Sequence, residues 1–209
     1  DSSYNDSLTF NQVEFFTEGT GGVLNSNLSW APGTDEESSI DWDTKIHDKD
    51  HLEVILKPSY FSLDGLSWSI VNESDISVTT EDVHIDHFEL RRADQLIQIN
   101  GCLSENDFDE LRADLENINI SEFGLILGLE NKIEGSLSGW ASISNPYSNF
   151  QYMGDLWLQD FFVDDHNIGD LMVHSNWDEK RQAVHLEGEL DVNDIQTFNF
   201  IGHFTQFFN

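Results

Sequence analysis

The clearest indication of the fold of this chain is the stretch IEGSLSGWASI at residues 133–143. Its odd positions carry apolar or very small residues, whereas four of its five even positions are polar. Successive side chains of a β-strand point to opposite faces, so this period of two predicts a strand with one buried face. The apolar phase of the strand consists of Ile133, Gly135, Leu137, Gly139, Ala141 and Ile143.

The same alternation recurs four times further along the chain, and turn-forming residues separate the runs. The apolar phases are Phe150, Tyr152, Gly154, Leu156 and Leu158; Leu171 and Val173; Val184, Leu186, Gly188 and Leu190; and Phe198, Phe200, Gly202 and Phe204. Many short strands without alternating helices predict an all-β fold in which the strands follow one another as an antiparallel meander.

One turn between these runs has the acidic spacing closest to a calcium-binding loop. It contains Asp164, Asp165, Asn167 and Asp170. The glycine and the terminal glutamate of an EF-hand are missing, so a plain turn between strands explains these residues better.

The first half of the chain shows shorter and less regular runs. Strand candidates are residues 52–56, 60–63, 66–71 and 76–80. Residues 20–50 have the weakest pattern and carry much turn chemistry, so most of this stretch is predicted to be loop.

The apolar phase changes between Ile85 and Phe88. A change of phase inside a strand predicts a β-bulge or a break near Asp86 and His87. The alternation then resumes and continues up to Gly101.

Evidence for helices is sparse. Residues 104–116 fit both a helical and an alternating pattern, and a strand is favoured because every neighbouring run is a strand. Ser121 precedes an apolar run and is typical of a residue that caps one or two helical turns. The sequence therefore predicts at most one short helix, near residues 121–129.

The charge of the chain excludes some classes of function. The 209 residues include 40 Asp plus Glu and only nine Lys plus Arg, which gives a formal net charge of −31. Such a chain has no electrostatic reason to bind nucleic acid or an anionic lipid surface. A solvated acidic surface is the simplest explanation of the charge. The single cysteine, Cys102, excludes an internal disulfide and a multi-cysteine metal site.

Catalytic motifs are missing from the sequence. It contains no HExxH pattern, no GxSxG elbow and no phosphate-binding glycine loop. His84 and His87 would point to opposite faces of a strand unless a bulge intervenes, so surface histidines are favoured over metal ligands. We therefore predict a protein that is not an enzyme, with no catalytic residue, no metal and no cofactor.

Glycine falls repeatedly on the apolar phase of the strands, and two explanations stay open. Glycine weakens a strand, so its repetition requires a reason. Sheet curvature or bulges would need small residues where strands bend. Alternatively, the apolar face must stay roomy around an apolar ligand. A second sheet, closure into a barrel or a bound apolar ligand would each cover that face.

Several segments, taken in order and spacing, resemble TamB-type proteins, the AsmA-like translocation and assembly module family, in the version of Bacteroidetes-type bacteria. They are PSYFSLDGLSWSI at 58–70, QLIQING at 95–101, EGSLSGWA at 134–141, IGDL at 168–171 and SNWD at 175–178. The resemblance covers roughly residues 50–206, and residues 1–50 match no recognised element.

The resemblance implies a long β-sheet curled into a groove with an apolar interior, often called a β-taco. It divides the chain into a TamB-like groove domain, residues 51–209, and a poorly patterned leading segment, residues 1–50, which we expect to be part of the same β-structure. It implies a periplasmic location, as an internal segment of a protein anchored in the inner membrane. The implied partners are phospholipid acyl chains and, through the parent chain, a barrel protein of the outer-membrane assembly-factor superfamily.

The resulting hypothesis is a groove segment that carries phospholipid between the two membranes or assists outer-membrane protein assembly. The predicted groove-lining residues are Ile97, Ile99, Ile133, Leu137, Ala141, Ile143, Leu156, Leu158, Leu171, Val173, Val184, Leu186, Phe198 and Phe200. The alternative is a closed β-sandwich that binds glycan or protein through exposed aromatics. Trp140 and Trp157 suit that alternative, since both fall on the phase opposite the apolar residues.

Overall fold

The computed structural model of the chain describes residues 11–31, 33–35, 37–63, 65–106, 108–123, 131–146, 150–192 and 195–205. Within these residues, fifteen β-strands and one single-turn 3₁₀ helix make up the regular structure. The strands pair in antiparallel fashion and in meander order. The predicted all-β, antiparallel meander is therefore confirmed.

The chain forms two compact units. The first unit runs to Asp94 and includes Gln98–Cys102, whereas the second includes Gln95–Ile97 and continues from Leu103. Strand β9 (Gln95–Ser104) contributes residues to both. The strands of the first unit are β1 (Glu14–Thr20), β2 (Val23–Trp30), β3 (Ser38–Asp48), β4 (His51–Leu56), β5 (Ser59–Leu63), β6 (Leu66–Ile70), β7 (Ser74–Thr79) and β8 (Asp82–Arg92).

The second unit follows a simpler pattern, in which each strand pairs with the next one along the chain. Its elements are β10 (Glu110–Asn119), the 3₁₀ helix (Ile120–Phe123), β11 (Ile133–Ser144), β12 (Gln151–Val163), β13 (His166–Asp178), β14 (Ala183–Val192) and β15 (Ile195–Phe204). These long strands correspond to the runs of clear alternation in the sequence.

The prediction that residues 20–50 are mostly loop is wrong, because β2 and β3 occupy most of this stretch. Polar side chains of the two strands bind one another across the sheet. Asn25 Nδ2 donates to Asp43 Oδ1 at 2.6 Å, and Asn27 Nδ2 donates to Asp41 Oδ1 at 2.9 Å. Cross-strand pairs of this kind stabilise strands whose apolar alternation is weak.

The structure can be compared with three predictions for the middle of the chain: a strand, a short helix and a turn. Residues 110–116 lie in β10, which confirms strand over helix there. The 3₁₀ turn at Ile120–Phe123 confirms the short helix, whereas residues 124–129 lie outside the described residues. The prediction that Ser121 caps this helix is wrong, because Ser121 lies within the turn and its N–H donates to Asn119 Oδ1 at 3.2 Å. Asp164 and Asp165 form the turn between β12 and β13, with left-handed φ values of 48° and 64°.

Strands β4 to β7 form one long hairpin. One arm consists of β4 and β5, the other of β6 and β7, and each arm is interrupted between its two strands. Both β4 and β5 pair with β3, and both β6 and β7 pair with β8. One interruption falls at Lys57 and Pro58, between β4 and β5. Proline has no N–H to donate to the ladder, so it marks a point where strand pairing stops.

The buried core of the first unit is built around two tryptophans, Trp30 and Trp68, together with Ile70. The Trp30 ring lies 6.4 Å from that of Phe61, and its Nε1 donates to the backbone oxygen of Ser62 at 3.3 Å. The hydrogen bond removes the cost of burying the indole N–H.

The predicted change of phase near Asp86 and His87 is confirmed by the backbone. His87 has a left-handed φ of 56° in the middle of β8. Its N–H donates to Asn100 Oδ1 of β9 at 2.8 Å instead of to a backbone carbonyl. A bulge of this kind leaves one residue out of the ladder and reverses the phase of the strand beyond it.

Two bulges of the second unit also have a left-handed φ, at Asn117 of β10 and Asp160 of β12, with values of 52° and 49°. Each interrupts the pairing register of its strand. The Asn117 N–H donates to Ser138 Oγ at 2.9 Å, and the Asp160 N–H donates to Asp170 Oδ1 at 2.8 Å. The same device therefore recurs: a polar side chain on the next strand accepts from the bulged N–H.

Candidate functional site

Strand pairing in the second unit brings large apolar side chains into a continuous row. Leu137 pairs with Leu158, Leu158 with Leu171, Leu171 with Leu190, and Leu190 with Phe198. Directly paired residues of an antiparallel sheet point to the same face. Five strands thus contribute one large apolar residue each to a single line across the sheet.

A second row runs beside the first and mixes large residues with glycine. It contains Gly139, Leu156, Val173, Gly188 and Phe200, each paired with the next. A Cβ on Gly188 would lie 2.2 Å from a carbon of the Phe200 ring, so this ring covers the glycine. The row therefore remains apolar at Gly188, although glycine has no side chain.

The third row is formed by Ala141, Gly154, Ser175, Leu186 and Gly202. Its polar member, Ser175, is 3% exposed and donates from Oγ to the Gly154 backbone oxygen at 3.1 Å. The hydroxyl is satisfied within the sheet and does not offer a polar group to a ligand. Together, the three rows are called the apolar face below.

The remaining predicted residues of the second unit continue the apolar face at its two ends. Ile143 pairs with Tyr152, and Val184 pairs with Trp177. Ile133 pairs with Val163 beyond the bulge of β12. Whether any of these residues contacts a lipid stays a prediction.

Two predicted residues, Ile97 and Ile99, lie on β9 and are half-buried. Ile97 belongs to the second unit, whereas Ile99 belongs to the first. The register of the apolar face described above does not include them.

Sequence reasoning missed part of the apolar face on β10. Leu111 pairs with Ile143, Leu115 with Gly139, and Ile118 with Leu137. Ile118 comes three positions after Leu115, which breaks a period of two, and the bulge at Asn117 restores Ile118 to the same face. The signal that identified the bulge in β8, an apolar residue out of phase, was also present here.

A comparable apolar surface was missed altogether in the first unit. One row joins Thr44, Val54, Ile76 and Ile85, and the next joins Ile46, Leu52, Val78 and Val83. Most of these side chains are half-buried. The short strands β4 and β7 supply the middle of both rows, and their length made the alternation hard to detect.

The side chains of the apolar face become more exposed to solvent towards β15. Val184 is 7% exposed, whereas Phe200 is 36% exposed and Phe198 and Phe204 are each 58% exposed. Large aromatic side chains at this level of exposure lie in contact with solvent. The apolar face is therefore open to a ligand on the side of β15.

The glycines of the apolar face have more than one role. A Cβ on Gly139 would lie 2.1 Å from the Asp155 backbone oxygen, and one on Gly154 would lie 2.6 Å from that of Trp140. Adjacent backbones approach closely at both positions, which supports the explanation by sheet curvature. A Cβ on Gly202 would meet nothing within 4 Å, so the space there is open.

The face opposite the apolar face is polar and carries both tryptophans of the alternative hypothesis. The Arg112 guanidinium lies 4.3 Å from the Trp140 ring centre and covers it, while Arg112 Nη2 binds Asp114 Oδ1 at 2.7 Å. This hydrogen bond raises the pKa of Arg112. Trp157 is 43% exposed and pairs with Met172, which is 53% exposed. Trp157 is thus the more accessible ring.

Histidines occur in two contacting pairs that sequence reasoning did not predict. The rings of His47 and His51 stack with centres 4.4 Å apart, and Nδ1 of His185 lies 3.1 Å from Nε2 of His203. Carboxylates accompany both pairs, and the His185 hydrogen bond lowers the pKa of Glu187. Among the described residues, no group of three or more His, Cys, Asp or Glu is arranged to hold a metal ion.

A solvent-open cleft of about 570 Å³ lies at the turn between β13 and β14. Arg181 Nη1 binds Asp178 Oδ2 there at 2.6 Å, and this pairing lowers the pKa of Asp178. The Trp177 Nε1 atom is buried without a hydrogen-bond partner. Arg181 and Asp178 neutralise each other and leave less charge to bind a ligand, so this cleft is a weaker candidate site than the apolar face.

Comparison of the chain with protein-family models, with curated proteins and with solved structures finds no match. In the described part of the chain, no helix has the length and apolar character needed to cross a membrane.

Proposed function

We propose that the apolar face carries phospholipid acyl chains and that the protein acts without catalysing a reaction. The observation that supports this proposal is the unbroken apolar row from Leu137 to Phe198, which ends in solvent-exposed phenylalanines. An acyl chain needs only apolar contact, which such a row supplies without directional bonds.

The energetics of this binding come from the acyl chains and not from the headgroup. Each CH₂ group removed from water contributes about 0.8 kcal/mol, so a few buried carbons suffice for measurable affinity. The chain has a net charge of −31, which repels anionic headgroups. We therefore expect preference for phospholipids with a zwitterionic headgroup, whose acyl chains lie on the apolar face.

The wider role that we propose follows the resemblance of the sequence to TamB-type proteins. In this proposal the chain is part of a periplasmic groove, and it carries phospholipid between the inner and outer membranes or assists outer-membrane protein assembly. An outer-membrane assembly-factor barrel protein would be the partner of the parent chain.

The second candidate function is binding of glycan or protein through exposed aromatics. Exposure of Trp157 beside Met172 favours it, whereas the guanidinium of Arg112 already covers Trp140. A single accessible ring makes a small platform, so we rank this function second.

Native mass spectrometry of the purified chain, followed by organic extraction, tests the proposal. We expect co-purified phospholipid at a defined ratio, and rebinding of a fluorescent zwitterionic phospholipid after delipidation. Leu186→Arg and Leu137→Asp should each weaken rebinding at least about tenfold, because they place a charge among the acyl chains.

The matched control is Met172→Arg, which makes a similar change on the opposite, solvent-exposed face. Circular dichroism checks that each variant is folded. If folded Leu186→Arg protein binds phospholipid normally, the apolar face is not the lipid site. A lipid-free mass that does not change on mixing with lipid would favour the second candidate, to be tested with Trp157→Ala.

A further inference from the structure

The cross-strand pair of His185 and His203 lies outside the apolar face and has no part in the proposed lipid function. Val184 and Leu186 of β14 belong to the apolar face, so His185 between them points to the opposite face. His203 of β15 is its direct partner and points to the same side. Both side chains project from the face of the sheet, so their contact does not depend on what lies beside β15.

The two imidazole rings present their nitrogen edges to one another. Nδ1 of His185 lies 3.1 Å from Nε2 of His203, and the ring planes are inclined by 50°. Imidazole nitrogens are common protein ligands of zinc, copper and nickel ions. Zinc–nitrogen bonds are about 2.0–2.1 Å long, so an ion bonded to both nitrogens at this separation has an N–metal–N angle of about 100°. Such an angle suits a four-coordinate ion.

Glu187 prepares His185 for this role. Its Oε1 atom lies 2.9 Å from Nε2 of His185. An ionised carboxylate only accepts hydrogen bonds, so Nε2 of the neutral ring carries the proton and Nδ1 turns its lone pair towards His203. Ligating histidines usually have such a partner on the second nitrogen, because it fixes the tautomer and the orientation of the ring.

The solvent-open cleft between β13 and β14 gives an ion access to the pair, since both histidines line it. Asp178 Oδ2 lies 3.7 Å from Nε2 of His203, but Arg181 already binds this oxygen at 2.6 Å. Asp178 is therefore a neighbour of the pair and not a third ligand. Neutral imidazoles bind a metal through their lone pairs, so the neutralised charges of the cleft do not prevent binding.

The other histidine pair has a different arrangement. The rings of His47 and His51 stack with centres 4.4 Å apart and planes inclined by only 21°. The lone pair of an imidazole nitrogen lies in the plane of its ring, so stacked rings direct their lone pairs along nearly parallel planes instead of to one point. This pair provides a comparison within the same chain.

We propose that His185 and His203 bind one divalent transition-metal ion. Among the described residues, no group of three or more His, Cys, Asp or Glu is arranged to hold a metal, so water completes the coordination. The ion replaces the hydrogen bond between the rings, and the proton of His203 Nε2 moves to Nδ1 of the same ring. Zn²⁺, Ni²⁺ and Cu²⁺ suit two imidazoles, with the tightest binding for Cu²⁺.

The net charge of −31 requires a control for diffuse binding, since 40 acidic residues attract any divalent cation. Mg²⁺ prefers oxygen ligands, whereas imidazole prefers the transition metals. An excess of Mg²⁺ therefore competes for the carboxylates and leaves the histidine site to Zn²⁺.

Isothermal titration calorimetry of the full, untagged 209-residue chain with ZnCl₂ tests the proposal in a buffer with about 10 mM MgCl₂. We expect one Zn²⁺ per chain. His203→Ala should lower the affinity at least about tenfold, because it removes one of the two protein ligands. His47→Ala, the matched control from the stacked pair, should leave the affinity unchanged. Circular dichroism checks that each variant is folded.

The orienting role of Glu187 has its own test. Glu187→Ala should lower the affinity for Zn²⁺ about tenfold, because His185 loses the partner that fixes its tautomer. Glu189→Ala removes the same charge from the same face of β14 and should have a much smaller effect. Equal effects of the two variants would overturn the orienting role.

Electron paramagnetic resonance of the unsubstituted chain with CuCl₂ does not depend on the folding of any variant. The spectrum should show hyperfine coupling to two nitrogen nuclei. Three results would overturn the site: no nitrogen coupling, displacement of Zn²⁺ by excess Mg²⁺, and unchanged affinity in folded His203→Ala. None of these measurements involves lipid, so they are independent of the proposed lipid function.

Discussion

At the scale of single residues, the glycines show how the backbone shapes the apolar face. Gly139 has a φ of 131°, and a Cβ there would be only 2.1 Å from the Asp155 backbone oxygen. Gly202 lies in the same face with open space around it. The two glycines look alike in sequence, since both fall on an apolar phase, but only one is required by the backbone.

Gly139→Ala should therefore destabilise the protein by about 2 kcal/mol or more, because it combines backbone strain with a steric clash. Gly202→Ala should change the free energy of unfolding by less than about 0.5 kcal/mol. Chemical denaturation of both variants at low salt measures the difference. Equal effects of the two substitutions would contradict the close approach at Gly139.

At the scale of elements, the bulges determine which residues reach the apolar face. His87, Asn117 and Asp160 adopt left-handed φ values, which Asn, Asp and His tolerate better than most other residues. Each donates its N–H to a side chain of the next strand. These acceptors hold the bulges in place, and the bulges keep both halves of their strands in phase with the sheet.

We expect Ser138→Ala to lower the free energy of unfolding by about 0.5 to 1 kcal/mol, since it removes the acceptor for the Asn117 N–H. Solvent replaces part of this hydrogen bond because the site is exposed. Amide hydrogen exchange of Asn117 should become faster. Ser136→Ala, on the same strand and face, is the matched control, and a similar effect of both variants would exclude a specific role for Ser138.

At the scale of the whole molecule, charge repulsion dominates the electrostatics. Forty acidic residues outnumber nine basic ones, so the ion pairs leave most carboxylates without a cation. Exposed pairs such as Lys49 with Asp50, at 3.1 Å, contribute little to stability. Repulsion among the remaining carboxylates therefore decides how stability responds to salt and pH.

Thermal unfolding should shift to higher temperature as NaCl increases from about 0.02 to 0.5 M at pH 7, because salt screens this repulsion. Differential scanning calorimetry measures the shift. A lower unfolding temperature at high salt would show that the ion pairs dominate instead.

Two ion pairs of the first unit make stability fall in strongly acidic solution. Hydrogen bonds from Lys57 and Lys45 lower the pKa values of Asp43 and Glu53. Their stabilisation is present above the unfolded values of 3.8 and 4.5 and is lost as the pH falls through the lower folded values.

Much of the second unit was predictable because its strands are long and alternate clearly. Leu137, Leu156, Leu171 and Leu186 were assigned to one apolar surface from sequence, and the register places them on one face. The first unit was harder to predict. Its strands β2 and β3 are stabilised by cross-strand polar pairs such as Asn25 with Asp43, which lie 18 residues apart.

Local sequence patterns are sufficient to predict an all-β chain, a meander of strands, and which residues share a face within each long strand. These properties are local, because the period of two and the turn residues act over a few neighbouring positions. The three-dimensional structure was needed to establish the cross-strand rows, the bulges at Asn117 and Asp160, and which apolar side chains stay exposed. These properties depend on which residues of another strand lie opposite, and a local pattern carries no information about that partner.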